Sequence, residues 1–324
     1  MSAPDRHAIT DARAPRRLPQ APQRYGTIVV VGGGCYGAYY VRQLARAARA
    51  GAIVAERVLV VDRDPACRVA RGGWNAEPGE HGGATVMEAA TRGRPAGTGE
   101  RAVPKDASVA TSLGGPPPDY EVAPPTPADH HPLPALVIDT RDWREFFPAW
   151  LGAAAEKAHS VDDARDAIVP SPLMPHLMYE WLLGRARARW PGRIVETGPL
   201  PQPPATPWER AAPDGTHYAS FATWTCPINC IEPARCPHTR GPRDWSMPVA
   251  MREYAGSLAA RDTPVVGPVV LHCVHRAWGV GMFDVAEVLA GDATIAAAGA
   301  VGPVDVLVGT MSHCHGAMNL LRLG

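Results

Sequence analysis

The sequence predicts an α/β protein built on a doubly wound, mainly parallel sheet. Three observations predict it. A run of β-branched residues, Ile28-Val29-Val30-Val31, stops at Gly32-Gly33-Gly34 and turns into a helical segment. Short apolar runs at 58–61, 135–138 and 167–169 then alternate with segments of helical periodicity, which is the rhythm of βαβ units. Late in the chain two more such runs, Val269-Val270-Leu271 and Val306-Leu307-Val308, each lead into a cluster of histidines and cysteines.

Composition bounds the function. A chain of 324 residues makes one large or two smaller domains. Its 32 Lys and Arg balance 32 Asp and Glu, so no global field attracts nucleic acid or an anionic membrane. Only Lys105 and Lys157 are lysines, and the excess of Arg, Ala, Pro and Gly reads as coding bias. No apolar run approaches the ~20 residues of a membrane helix. The first stretch carries Arg6, Arg13, Arg16, Arg17 and Arg24 without an apolar core, so it is no secretory signal and reads as a disordered tail over 1–25. Seven cysteines, odd in number and mostly late, do not suggest a disulfide framework, and a reducing cytoplasm fits them. The expected partner is a small-molecule substrate, with no nucleic acid and no membrane; association of copies stays open.

The first element with chemistry is the glycine turn. Gly32, Gly34 and Gly37 stand in the G-x-G-x-x-G register. The first glycine allows the tight turn out of the strand, the second lets backbone lie against a pyrophosphate, and the third lets helix and strand pack closely. A helix over about 37–50 would offer its N-terminal amides to phosphate. The strand Val58-Leu59-Val60-Val61 follows and ends at Asp62, whose carboxylate can accept from a ribose hydroxyl. Strand, turn, helix, strand and acid together resemble the Rossmann NAD(P)-binding superfamily over residues 26–66. The resemblance implies NAD or NADP held at Gly32, Gly34, Cys35, Tyr36, Gly37, Asp62 and Arg63. Asp62 favours NAD, because a carboxylate repels a 2′-phosphate, and Arg63 keeps NADP open. The plainer alternative is a turn that packs a βαβ unit and binds nothing.

Residues 26–200 form the expected dinucleotide-binding domain, interrupted by an irregular insertion over about 68–134. Between Gly93 and Pro134 proline and glycine are too frequent for a packed core, and His130 and His131 there read as solvated. Order returns with the strand 135–139 and a helix carrying Trp143, Phe146, Phe147 and Trp150 at core spacing. A strand at 167–170, a helix from Leu173 to Trp190 and a further strand at 193–196 follow.

Residues 201–324 are the Cys/His-rich region. Cys226, Cys230 and Cys236 follow a Cys-x3-Cys-x5-Cys spacing, with proline after the first and third and His238 just beyond. Such a loop can wrap one centre, and thiolate is the soft ligand that zinc and iron–sulfur clusters select. These three are the expected metal ligands, with His238, Cys273 or Cys314 as the fourth. Strands over 269–271 and 305–310, each followed by a helix, would bring the later clusters to one carboxyl edge if parallel. Strand alternation pairs Cys273 with His275, and His313 with His315. His275, His313 and His315 are then the candidates for acid–base catalysis, since imidazole titrates near neutrality. The competing readings are a redox-active or catalytic thiol, and plain packing, which is the reading taken for Cys35 and Cys67.

Together these features predict an NAD(P)-dependent oxidoreductase with a zinc or iron–sulfur centre in its C-terminal half. The alternative is a non-catalytic nucleotide- or redox-sensing protein with a structural zinc or cluster site. A tetrapyrrole- or metal-handling enzyme is a third reading, motivated by the paired histidines alone.

Overall fold

The computed structural model describes residues 22–74, 133–157, 165–226, 230–261 and 265–324. Most of the expected tail and insertion, with His130 and His131, lies outside the described residues. The chain is α/β, with two six-stranded sheets.

The first sheet begins with β1 (Gln23–Val31), which starts inside the span expected to be tail. Helix α1 (Cys35–Arg49) returns the chain to β2 (Ile53–Val61). Beside them lie β3 (Ala135–Asp139) and β4 (Arg165–Val169), separated in sequence by α2 (Trp143–Lys157). These four strands run parallel in the order β3-β2-β1-β4. Helix α3 (Leu177–Arg189) then leads to β5 (Val195–Gly198), β6 (Trp208–Ala211), β7 (His217–Ser220) and helix α4 (Met247–Ala259). The remainder is β8 (Val266–His272), β9 (Val274–Ala277), β10 (Val280–Asp284), α5 (Val285–Val301), β11 (Val304–Met311) and β12 (His315–Leu323). Strands β10 and β9 extend the first sheet beyond β4, both pairings being antiparallel. The second sheet runs β6-β7-β12-β11-β8, with β5 also on β12.

Hydrophobic patterning stacks five layers. On one face of the first sheet α1 covers Ile28, Val30, Val58 and Val60, together with Val69 from the turn after β2. The other face, carrying Val29, Val31, Leu59 and Ile168, packs on α2, α3 and α5. The same helices reach the second sheet through Val269, Leu271, Val306 and Leu321. Phe146 and Phe147 of α2 are buried in this layer, as their spacing predicts; burying each contributes about 1.5–3 kcal/mol. Helix α4 closes the outer face of the second sheet with Met247, Met251 and Leu258.

Several expectations need correction. One doubly wound, mainly parallel sheet was expected; the chain forms two mixed sheets. Tight turns at Trp278-Gly279, both at positive φ, and at 312–314 join β9 to β10 and β11 to β12. A connection that short can only join antiparallel strands. The last segment is therefore β12 and not a short helix, because strand partners on both sides override its mixed local preference. Residues 280–284 are strand before α5 begins. Helix α3 starts at Leu177 rather than Leu173, since Pro175 lacks the N–H and biases its predecessor away from helix. Residues 67–74 pack as a turn rather than opening the insertion. Strand β5 belongs to the second sheet and β9 and β10 to the first, so strands from each side of residue 200 serve both sheets.

Strands β8 and β11 are parallel neighbours, and their carboxyl ends, His272 and Met311, are paired in register. Directly after β8 the chain passes through Cys273 into β9 of the first sheet. The two sheets therefore meet at Cys273.

Candidate functional site

The glycine turn lies at the carboxyl end of β1. Gly32 has φ 86°, a left-handed conformation that glycine adopts without strain. A Cβ on Gly37 would collide with the carbonyl oxygen of Gly32, so α1 can sit this close only with glycine there. Gly34 is different: nothing lies within 4 Å of the place its Cβ would take. It is exposed and is the N-cap of α1, with no side chain capping the helix. Asp62 accepts the Gly33 N–H at 2.6 Å and the Asp64 N–H at 2.9 Å. Cys67 is buried against Gly33. Cys35, expected to be a packed small residue, is exposed, with an Arg68 guanidinium nitrogen 3.6 Å from its sulfur. Arg63 is exposed and Tyr36 half-buried.

The C-terminal cluster is organised by Glu232, which the sequence reading did not single out. Glu232 is non-glycine with φ 48°, a strained conformation that costs of order 1–3 kcal/mol. Its carboxylate is buried, and it accepts from the Ser312 hydroxyl at 2.5 Å, the His313 N–H at 2.8 Å and the Cys314 N–H at 3.0 Å. Consecutive amides of the β11–β12 turn thus form a nest around an anion. His275 Nδ1 lies 3.6 Å from the second carboxylate oxygen. Burial by itself would raise this carboxyl, but His275, Ser312 and the His313 amide outweigh it and hold it well below the ordinary range.

The three loop cysteines lie near enough to influence one another electrostatically. Cys226 is pushed up to about 11, first by burial and then by Cys230 and Cys236. Cys230 receives the Glu232 N–H at 3.4 Å and is raised chiefly by burial. Burial also works to raise Cys236, yet the amides of Thr239 and His238 and the Thr239 hydroxyl hold it below the usual thiol value. Amides that converge on a sulfur stabilise its thiolate. His238 stacks on Trp224 at 4.5 Å. Cys273 and Cys314 stand apart, each pushed up to about 12 by burial and then by Glu232. Cys314 also accepts the Trp245 indole N–H at 3.3 Å.

The histidines take separate places. Met311 ends the strand, so alternation does not carry through the 312–314 turn. His313 therefore reaches Ser246 at 3.2 Å and the His272 ring at 4.7 Å, while His315 reaches Ser220 at 2.8 Å. His272 is lowered to about 4, by burial first and then by His313. His315 is lowered by burial. Cys273 and His275 do share a place, as alternation predicts: a Cβ on Gly281 would lie 2.8 Å from the Cys273 sulfur and 3.4 Å from His275 Nε2.

Among the described residues, no group of three or more His, Cys, Asp or Glu side chains is arranged to hold a metal ion. Among the same residues no helix is long and apolar enough to cross a membrane. Glu232 escaped the sequence reading because a lone acid in a proline-rich loop carries no periodic signal; its one cue was its place between Cys230 and Cys236.

A family model, AF_1314_C, described as the C-terminal domain of an uncharacterized protein, matches residues 178–324. That span holds every cysteine and histidine of the cluster and excludes the glycine turn. No curated protein matches the chain. No solved structure matches it either.

Proposed function

We propose that this chain is an NAD(P)-dependent oxidoreductase whose dinucleotide lies on the β1–α1 turn and whose reaction centre is the Cys/His cluster around Glu232. The observation that carries the reading is the position of Cys273. It sits in the link from β8 to β9, near Glu232 on one side and near Tyr40, one turn beyond Gly37 on α1, on the other. Burial, then Cys273, then Tyr36 push the Tyr40 phenol upward. On this reading the nucleotide turn and the cluster are neighbours, a reading supported by the packing of α1 against β9 and β10.

The parallel order β3-β2-β1-β4, with the glycine turn after β1, is the order of a Rossmann half and supports the nucleotide half of the proposal. So do the open space at Gly34 and the α1 N-terminus that no side chain caps. Asp62 spends one lone pair on each of two amides and keeps others for a ribose hydroxyl.

For the metal half, the donor chemistry suits a soft cation: three thiols of one loop, Cys226 and Cys230 raised chiefly by burial and Cys236 held down by amides. Cys226, Cys230 and Cys236 are the residues that would hold it. Zinc there would supply Lewis acidity, and an iron–sulfur cluster would supply one-electron transfer. A second reading, a non-catalytic sensor with a structural thiolate site, draws on the same amide wrapping of Cys236.

The test is metal and acid-labile sulfide analysis on protein purified without oxygen, together with NADH and NADPH titration by fluorescence. Bound metal with saturable nucleotide binding is the expected result. Absence of nucleotide binding sinks the oxidoreductase, and bound metal without any reduction or oxidation of nucleotide favours the sensor.

A further inference from the structure

We propose that Cys273, His275 and Glu232 form a nucleophile–base–carboxylate array, with Cys273 adding to the carbonyl carbon of an aldehyde substrate. This rests on the oxidoreductase reading for its substrate class but on separate residues for its geometry.

The array starts from Gly281. Strand β10 runs beside β9, and Gly281 pairs with His275 in the ladder. With no side chain at Gly281, the Cys273 sulfur and His275 Nε2 both lie within 3.4 Å of one point. The two are not hydrogen-bonded, and side-chain rotation in the space left by Gly281 would bring them into contact for proton transfer. The other ring nitrogen, Nδ1, is buried and has no hydrogen-bond partner among the described residues. The group nearest to it is the Glu232 carboxylate, at 3.6 Å. That carboxylate cannot swing away, since Ser312 and the amides of His313 and Cys314 hold both its oxygens. A small turn of the ring would bring Nδ1 into hydrogen-bond range of this fixed carboxylate, which would then keep the proton on Nδ1 and leave Nε2 as the basic atom, the logic of nucleophile triads. Glu232 is a positioning residue here, and His275 the base.

A thiol beside a buried carboxylate needs a base to act as a nucleophile, and His275 is the imidazole that shares its place at Gly281. Cys273 as a residue is partly buried, and alkylation reads whether its sulfur can be reached. In the addition, the S–C bond forms as the carbonyl π bond opens. The thiol proton moves to His275 Nε2 and then to the carbonyl oxygen, giving a thiohemiacetal. NAD(P)+, if bound at the glycine turn, would supply the two-electron acceptor for the hydride on that carbon. The hydroxyl proton leaves through His275, and the thioester that remains is hydrolysed by water to the acid and free Cys273.

The test needs no substrate. The intact, reduced chain is treated with iodoacetamide at neutral pH, and alkylation of the Cys273 peptide is followed by mass spectrometry. His275→Gln should slow Cys273 at least about tenfold with the fold retained by circular dichroism. Gly281→Ala, whose Cβ would crowd the sulfur, should slow it as well. Glu232→Gln should abolish the Nδ1–H preference of His275 in nitrogen-15 spectra. Unchanged Cys273 reactivity in His275→Gln overturns the proposal; if that variant does not fold, unchanged reactivity in Gly281→Ala does so. Loss of bound metal in Cys273→Ser overturns it too, by making Cys273 a ligand. A chain that binds no nucleotide yet shows His275-dependent reactivity would lose the oxidoreductase reading and keep the array.

Discussion

Replacing Glu232 by glutamine keeps the shape of the side chain and removes its charge. The carboxylate serves three donors: Ser312 Oγ and the amides of His313 and Cys314. A glutamine has one oxygen and turns its NH2 towards at least one of those donors. A buried donor left unpaired costs about 1–3 kcal/mol, and the bonds that survive lose charge assistance. The expected loss for Glu232→Gln is therefore about 2–4 kcal/mol at neutral pH, by the same figures. Urea unfolding measures it. The pH dependence is the sharper check. The folded carboxyl is held below its ordinary value of 4.5, so its stabilisation is complete above that value. As pH falls below it, the unfolded chain takes up a proton that the folded chain refuses, and wild-type stability drops. The gap between wild type and variant should narrow by at most about 1.4 kcal/mol per pH unit. Equal stability at neutral pH, or a gap that stays constant on acidification, would refute the account of Glu232 as a buried, multiply bonded anion.

The two inner glycines of the turn should separate stability from binding. Gly37→Ala drives a Cβ into the Gly32 carbonyl and should cost about 1–3 kcal/mol in urea unfolding, whereas Gly34→Ala meets open space and should cost under about 1 kcal/mol while weakening NADH roughly tenfold. A Gly34→Ala protein that binds NADH as wild type does would remove the pyrophosphate from this turn. Cys230→Ser should lower bound metal to a small fraction of the wild-type content; full metal in that variant excludes the cysteine loop. His176 is buried, with Nδ1 2.9 Å from the Thr310 hydroxyl, and burial lowers it to about 3. Below pH 6.5 the unfolded histidine charges and the folded one does not, so stability is lost as pH falls. His176→Gln should flatten that acid limb by up to about 1.4 kcal/mol per pH unit, read from unfolding midpoints, and an unchanged slope would contradict the burial argument.

Local chemistry was legible wherever neighbours in sequence are also the partners that matter. The β1 run, the three glycines, α1 and β2 are consecutive, so hydrophobic period and glycine placement reported them without help from distant residues. The aromatic face of α2 was legible for the same reason, whereas the parallel pairing of β8 with β11 entered only as a condition that the fold then met. Pattern failed where a distant partner chose the state. The segment after the last His/Cys cluster reads as a short helix, and β11, β5 and β7 together make it strand. Alternation predicts a shared position for Cys273 with His275 and for His313 with His315; the first pair lies together at Gly281, and the second is separated because a turn interrupts it.

The sequence by itself determined an α/β chain, a glycine turn shaped for close backbone approach, and a loop of three cysteines punctuated by proline. Only the tertiary structure decided that β9 and β10 would cross to the first sheet, that Gly281 would leave room between a thiol and an imidazole, and that Glu232 would bond the turn after β11. Those facts depend on residues separated by tens of positions. Burial and hydrogen bonding there are set by packing in space, and no local period records them.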